Sequence, residues 1–278
     1  LFQGKLERGE IRHLFLYSWP FLPLNLARGE RLIIVITGCF LPADQLGIFA
    51  VALKLAALSQ VILTGINFVF RPMVTKLYTS GDLATLKSLY QAVTRWIFFL
   101  TLPLSFILIA YPALVLSFFG RQFPAGAAVL MIVALGYLFE YGTSATQVII
   151  NMTGRSWLSL MNQLIYFGVV VVLAISLIPR AGVIGAAWSV ALGIVVVNLL
   201  RLYQSSRLVG FTPYSWYLFK PIIAVFLAGS VLLLMGSIWL IAVYLMAYFL
   251  LVWLLGLNSE DRALLVGLKR SGALIRWR

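Results

Sequence analysis

Eight apolar runs, separated by short polar segments, divide almost the whole chain. They lie near residues 14–40, 45–70, 89–112, 125–150, 157–179, 182–203, 217–237 and 239–257. A helix needs about 20 consecutive apolar residues to cross a bilayer, and these runs are long enough when tilt is allowed for. The runs are continuously apolar, whereas the strands of a membrane barrel alternate polar and apolar residues. The pattern therefore predicts an all-α integral membrane protein with about eight transmembrane helices.

The composition excludes an ordinary soluble domain. Hydrophobic residues make up 62% of the 278 residues, charged residues only 10%, and the mean hydropathy is +1.02. A water-exposed surface needs more polar side chains than this chain can supply. The last two apolar runs are separated only by residues 236–238, so one broken helix is conceivable, and we favour two separate spans.

Basic residues are concentrated in alternate polar segments, which predicts the orientation in the membrane. Fifteen lie in the amino-terminal segment, after runs two, four and six, and in the tail, against two, Arg121 and Arg180, in the segments between. Cytosolic segments of membrane proteins are enriched in Lys and Arg. We therefore expect a multi-pass protein with both termini in the cytoplasm. The tail, residues 258–278, alternates basic and apolar residues, as an amphipathic interfacial helix does.

A few ionisable residues interrupt the apolar runs, and they are the candidate functional residues. Arg28, Glu30 and Arg31 lie in the first run, Lys54 in the second and Glu140 in the fourth. Charge at hydrocarbon depth costs a few kcal/mol or more unless it faces a cavity or a partner. The sequence thus indicates a polar cavity or an internal ion pair within the membrane.

Arg28 and Arg31 share one helix face because they are three residues apart, so together they can grip a multivalent anion such as a diphosphate. We predict substrate contacts for Arg28, Arg31, Lys54 and Asn25, with Glu30 and Glu140 as ion-pair or coupling residues. Each predicted substrate contact has a structural alternative: an internal ion pair for either arginine, a lipid headgroup contact for Lys54, and an interhelical hydrogen bond for Asn25. For Glu140 the alternative to an ion pair is proton coupling.

No motif for chemistry on a substrate is found in the sequence. It has no Gly-rich phosphate loop, no nucleophile elbow and no pair of metal-binding histidines, and its one cysteine is Cys39. We therefore predict a protein that is not an enzyme, with no cofactor, no metal and no nucleic-acid partner. Its basic residues follow membrane topology instead.

Several stretches together resemble the carboxy-terminal half of polysaccharide flippases of the multidrug/oligosaccharidyl-lipid/polysaccharide exporter superfamily. The stretch at 17–58 is similar to that family's seventh and eighth helices, and the stretch at 68–104, beginning FVFRPMVTKLYTSGDL, is similar to the next connection and the ninth helix. Segments 118–139, 150–167 and 177–202 complete the likeness, which covers about residues 11–205. Glu30 and Arg31 stand at a family acidic-arginine pair, with glutamate where aspartate is usual.

The resemblance implies a transporter in the bacterial inner (cytoplasmic) membrane. It would move a polyprenyl-diphosphate-linked oligosaccharide from the cytosolic to the periplasmic leaflet by alternating access, for cell-surface polysaccharide synthesis. It divides the chain into a cytosolic juxtamembrane segment (1–13), a six-helix lobe (14–205), two additional transmembrane helices (206–257) and a basic cytosolic tail (258–278). The expected partners are the lipid-linked glycan, membrane lipids and a first lobe. That lobe would come from a longer chain, which the missing initiator methionine favours, or from a second copy.

Two other functions fit parts of the pattern. A cation-coupled exporter of small amphiphiles would keep the fold, with an essential intramembrane carboxylate and dispensable arginines. A membrane glycan polymerase or ligase would need a sizeable periplasmic loop with catalytic residues, and the predicted outside loops are short.

Overall fold

The computed structural model describes residues 30–235 and 240–254, and these residues form helices without any strand. The helices, numbered here in chain order, are α1 (Glu30–Gly38), α2 (Ala43–Ala56), α3 (Gln60–Thr79), α4 (Leu83–Ala110), α5 (Pro112–Ser117), α6 (Ala127–Thr143), α7 (Ala145–Met152), α8 (Ser156–Val209), α9 (Phe219–Met235) and α10 (Leu240–Leu254). Short 3₁₀ turns at Ala57–Ser59, Phe123–Gly126 and Trp216–Leu218 join some of them.

Four helical segments are long and apolar enough to cross a membrane: Ala43–Thr79, Leu83–Ala110, Phe123–Thr143 and Ser156–Val209. They coincide with five of the predicted apolar runs, because the longest segment contains two. The all-α membrane fold is thereby confirmed for the part of the chain that the structure describes. The first predicted run, 14–40, lies largely outside these residues, and only its end is represented, by α1.

Helix α8 is a hairpin of two antiparallel helices, as the sequence predicts for runs 157–179 and 182–203. Gly182 breaks it with φ +54° and ψ −134°. On either side, the amides of Asn162 and Gln204 exchange two hydrogen bonds of 2.7 and 2.9 Å. In a straight helix these residues would be about 63 Å apart. The chain therefore reverses at Gly182 and crosses twice.

The last two described helices, α9 and α10, also form a hairpin, and their apolar parts are shorter than the four segments above, so the expectation of two further spans stays a prediction. Phe106 of α4 stacks on Tyr244 of α10, with ring centroids 5.4 Å apart, and its ring also lies directly against Gly229 of α9. Fifteen residues of continuous helix would separate Gly229 from Tyr244 by about 22 Å. Gly229 and Tyr244 can both contact the Phe106 ring because α9 and α10 run in opposite directions.

The buried side chains form two clusters. The larger joins α2, α4, α6, both halves of α8, α9 and α10 around residues such as Phe49, Leu130 and Tyr141. The smaller lies where α3 ends and α4 begins, and it includes Phe70, Val74, Leu86, Tyr90 and Val209. The smaller cluster marks the end of the bundle that the basic residues predict to be cytosolic.

Several of the basic residues counted above in the polar segments lie on helices instead. Arg71 and Lys76 are in α3, Lys87 is in α4 and Arg201 is in α8. The reason is helix length: Ala43–Thr79 would span about 55 Å, whereas the hydrocarbon core is only about 30 Å thick. Helices continue beyond the apolar run, so hydropathy locates the crossing but not the helix end.

Candidate functional site

The predicted site residues fall into two groups with respect to the structure. Asn25 and Arg28 lie outside the described residues. Glu30 and Arg31 begin α1, and the placement of their side chains lies outside the description. Lys54 and Glu140 are described, and the site can therefore be built from them upward.

Lys54 lies in the last turn of α2 and is exposed on the surface of the bundle. Directly after it the α-helix gives way to a 3₁₀ turn, Ala57–Ser59, before α3 begins. No proline causes this break. A short 3₁₀ stretch inside a long helix often marks a hinge or a functional position. Lys54 thus combines a charge with a helix irregularity in the middle of a membrane-spanning segment.

Polar groups continue from the break along α3. Ser59 is buried, and its Oγ has no hydrogen-bond partner among the described residues. Exposed Thr64 donates its hydroxyl to the Gln60 carbonyl at 2.8 Å, and nothing within 4 Å would meet a Cβ on exposed Gly65. The surface of α2 and α3 around the exposed residues Lys54, Thr64 and Gly65 is therefore uncovered and only partly apolar.

Glu140 lies on α6, partly buried, and it attracts the guanidinium of Arg201 on α8. Arg201 also donates from Nη1 to Asn198 Oδ1 at 3.4 Å. Opposite charges on α6 and α8 thus attract each other inside the lobe. The role of Glu140 as an ion-pair or coupling residue stays a prediction, and the side chains of Arg28 and Arg31 lie outside the described residues.

A second polar group adjoins the hairpin of α8. Gln147 donates from Nε2 to Asn151 Oδ1 at 3.1 Å and to Ser159 Oγ at 2.7 Å, and the Ser159 hydroxyl donates to Asn151 Oδ1. The buried Oε1 of Gln147 has no partner among the described residues. Together with the Asn162–Gln204 pair, these bonds tie α7 to both halves of α8. Interhelical hydrogen bonding, the simpler expectation for such amides, is what the structure shows here.

Lys54 and Glu140 lie at a similar depth in the bundle. The Tyr141 hydroxyl donates to the Ala56 carbonyl at 3.3 Å, and it therefore joins the residue after Glu140 to the residue two positions after Lys54. Lys54 is exposed, whereas Glu140 is on a partly buried side of α6. The two charged residues thus lie at a similar depth along the bundle, but only Lys54 lies on its exposed surface.

The described residues thus place a lysine on the exposed surface of α2 and a carboxylate that attracts a guanidinium inside the bundle. Sequence reasoning missed Arg201, because a position near the end of an apolar run was taken as a loop. It also missed Ser59, since a single serine carries no signal before its burial is known. Among the described residues, no three His, Cys, Asp or Glu side chains are grouped so that they could hold a metal.

Comparison with known proteins gives one match. A family model described as "Polysaccharide biosynthesis protein" matches residues 2–128, somewhat less than half of the chain. The match includes Lys54 and the helix break, and it ends just after α6 begins. No curated protein and no solved structure matches the chain significantly. The predicted resemblance to polysaccharide exporters is supported by this match.

Proposed function

We propose that this multi-pass membrane protein, whose residues 2–128 match a family model described as "Polysaccharide biosynthesis protein", flips a polyprenyl-diphosphate-linked oligosaccharide across the bilayer. The direction is from the cytosolic to the periplasmic leaflet of a bacterial inner membrane, by alternating access. The chain acts as a transporter rather than an enzyme, and it supplies one lobe of the transport pathway.

The exposed position of Lys54 carries the proposal. An ammonium group in the middle of an apolar segment is costly in hydrocarbon, and such residues usually face water or a partner. Lys54 is exposed on the bundle described here, beside the uncovered face of α2 and α3. A water-filled space between this face and a second lobe would accept the charge. That space would also admit the diphosphate of the substrate.

The helix break supports alternating access. Transporters commonly place discontinuous helices beside the substrate site, where irregular backbone can face a cavity. Here the 3₁₀ turn at Ala57–Ser59 lies within one turn of Lys54. A hinge at this position would let the periplasmic part of the segment, α2, move relative to α3 while Lys54 stays near the substrate.

Replacing Lys54 tests the substrate contact. We expect Lys54→Ala to cause accumulation of lipid-linked precursor on the cytosolic leaflet, because one cationic contact to the diphosphate is lost. Lys54→Arg should retain most export, since charge is preserved. Lys76→Ala, which removes an exposed charge near the end of α3, is the matched control. Normal export by Lys54→Ala at normal protein level would contradict the proposed contact.

The arginines of the first run are tested in the same assay. Arg28→Ala combined with Arg31→Ala should block export more strongly than Lys54→Ala, because two guanidinium groups can share one diphosphate. Unchanged export by the double variant would reject their proposed contacts.

Cation-coupled export of small amphiphiles is the second candidate, and Glu140 distinguishes the two. The attraction between Glu140 and Arg201 supports a fixed counter-ion. We therefore expect Glu140→Gln to lower the protein's stability and to leave transport per folded molecule largely intact. Lost transport with unchanged folding would instead favour proton coupling by this carboxylate.

A further inference from the structure

Two basic side chains meet one tyrosine ring at the end of the bundle that carries the smaller cluster. The guanidinium carbon of Arg95 lies 5.8 Å from the ring centroid of Tyr217, and Nζ of Lys220 lies 5.3 Å from the same centroid. Arg95 is on α4 and is 7% exposed, whereas Lys220 is in the first turn of α9. Both cations are therefore within about 11 Å of each other, at a junction of two helices.

The segment that carries Tyr217 is held firmly against α4. Gln91 donates from Nε2 to the Tyr214 carbonyl at 3.1 Å and to the Thr212 carbonyl at 3.5 Å. The rings of Tyr90 and Phe211 lie 6.3 Å apart. These contacts fix the chain just before Tyr217 against α4, the helix that carries Arg95.

The same segment has the composition of a membrane interface. Trp216 is 82% exposed and its ring lies 5.1 Å from the ring of exposed Phe219. Tyr214 and Tyr217 are also exposed. Tryptophan and tyrosine concentrate at the depth of lipid headgroups, because one part of the ring is apolar and the other polar. The aromatic residues place Arg95 and Lys220 at that depth.

Positive charge dominates this end of the bundle. Its described basic residues include Arg71, Lys76, Lys87, Arg95, Arg207 and Lys220, and the acidic side chain near the start of α4 is Asp82, which is exposed and accepts the Thr85 amide. Basic pockets between membrane helices at such positions bind anionic headgroups. We propose that Arg95, Tyr217 and Lys220 form a binding site for the phosphate of an anionic phospholipid of the surrounding leaflet.

The site differs from the proposed transport pathway. Lys54 lies on α2, in the middle of its segment, whereas Arg95 and Lys220 join α4 to α9 at the end of the bundle. The proposed lipid would fill the junction between the main lobe and the last two helices. It would therefore hold these elements together without taking part in transport of the glycan.

Native mass spectrometry of the purified full chain, titrated with phosphatidylglycerol in detergent, tests the proposal. We expect Lys220→Gln to weaken the tightest binding about fivefold, and addition of Arg95→Gln to weaken it further, because each basic residue near a membrane surface contributes about this much. Lys76→Gln, an exposed charge on α3 towards the same end, is the matched control and should leave that binding unchanged. If Arg95→Gln does not fold, Lys220→Gln alone decides.

Three results would overturn the proposal. Equal loss in Lys220→Gln and Lys76→Gln would mean that only diffuse charge attracts the lipid. Equally tight binding of phosphatidylcholine would mean that the anionic charge is not recognised. Complete displacement by millimolar inorganic phosphate, or strong preference for a polyprenyl phosphate, would assign the site to a free anion or to the transport substrate instead.

Discussion

Proline at position 103 leaves a backbone carbonyl of α4 without its usual partner, and a tyrosine of α10 takes the vacant place. A proline lacks the amide hydrogen that would bond the carbonyl four residues earlier, here that of Phe99. The Tyr248 hydroxyl donates to the Phe99 carbonyl at 2.9 Å, and the Tyr244 hydroxyl donates to the Pro103 carbonyl at 3.4 Å. Neighbouring helices commonly satisfy carbonyls freed in this way.

The hydrogen bond from Tyr248 to the Phe99 carbonyl predicts how a substitution of Tyr248 changes stability. Tyr248→Phe should lower the free energy of unfolding by about 1 kcal/mol, because it removes an interhelical hydrogen bond inside the bilayer. In a Pro103→Ala background, the restored amide can bond the Phe99 carbonyl, so the same substitution should cost less. The measurement is unfolding by SDS titration in mixed micelles. An equal cost of Tyr248→Phe in both backgrounds would show that the hydroxyl does not serve the freed carbonyl.

At the scale of elements, the hairpin of α8 depends on two glycines for different reasons. Gly182 has φ +54° and ψ −134°, a conformation that side chains with a Cβ rarely adopt. Gly185 has ordinary helical geometry, but a Cβ there would lie 2.3 Å from the Leu177 carbonyl oxygen of the opposing helix. The first glycine allows the turn, and the second allows the two helices to approach closely.

Substitution by alanine distinguishes these requirements from a general preference for glycine. Gly182→Ala should lower the free energy of unfolding by about 1–3 kcal/mol through backbone strain. Gly185→Ala should also destabilise, because the Leu177 backbone must move. Gly168→Ala is the control: it lies in the same hairpin with nothing within 4 Å of a Cβ, and we expect no loss of stability. Comparable destabilisation by all three would contradict this account.

At the scale of the whole molecule, the lone cysteine offers a test of orientation. Cys39 is exposed in the turn between α1 and α2, which the basic residues predict to be periplasmic. Ser80 is exposed in the turn between α3 and α4, which is predicted to be cytosolic. The two positions should therefore differ in their access from outside the cell.

A membrane-impermeant maleimide should label Cys39 in intact cells whose outer membrane admits the reagent. In a Cys39→Ser background, Ser80→Cys should be labelled only after the inner membrane is permeabilised. Maleimide-dependent mass shifts on gels provide the measurement, and a Cys39→Ser chain gives the background. The opposite labelling pattern would reverse the orientation and with it the proposed direction of transport.

The sequence by itself determined the membrane class and the positions of the helices, because hydropathy over about 20 residues is a local property. It also predicted the break between the two halves of α8, where Pro179 and Gly182 interrupt the apolar pattern. One helix end was placed too early, as Arg71 and Lys76 on α3 show, since a helix can continue into water after its apolar run has ended.

Only the tertiary structure decided which polar groups meet. Asn162 lies 42 residues from Gln204, and Tyr248 lies 149 residues from Phe99, so no local pattern links either pair. The predicted roles of Arg28, Arg31, Glu30 and Lys54 all stay predictions, and of these residues the structure describes the side chain of Lys54, which is exposed. Partners across helices depend on which faces pack together. That choice is made by the summed contacts of the whole bundle rather than by any single residue.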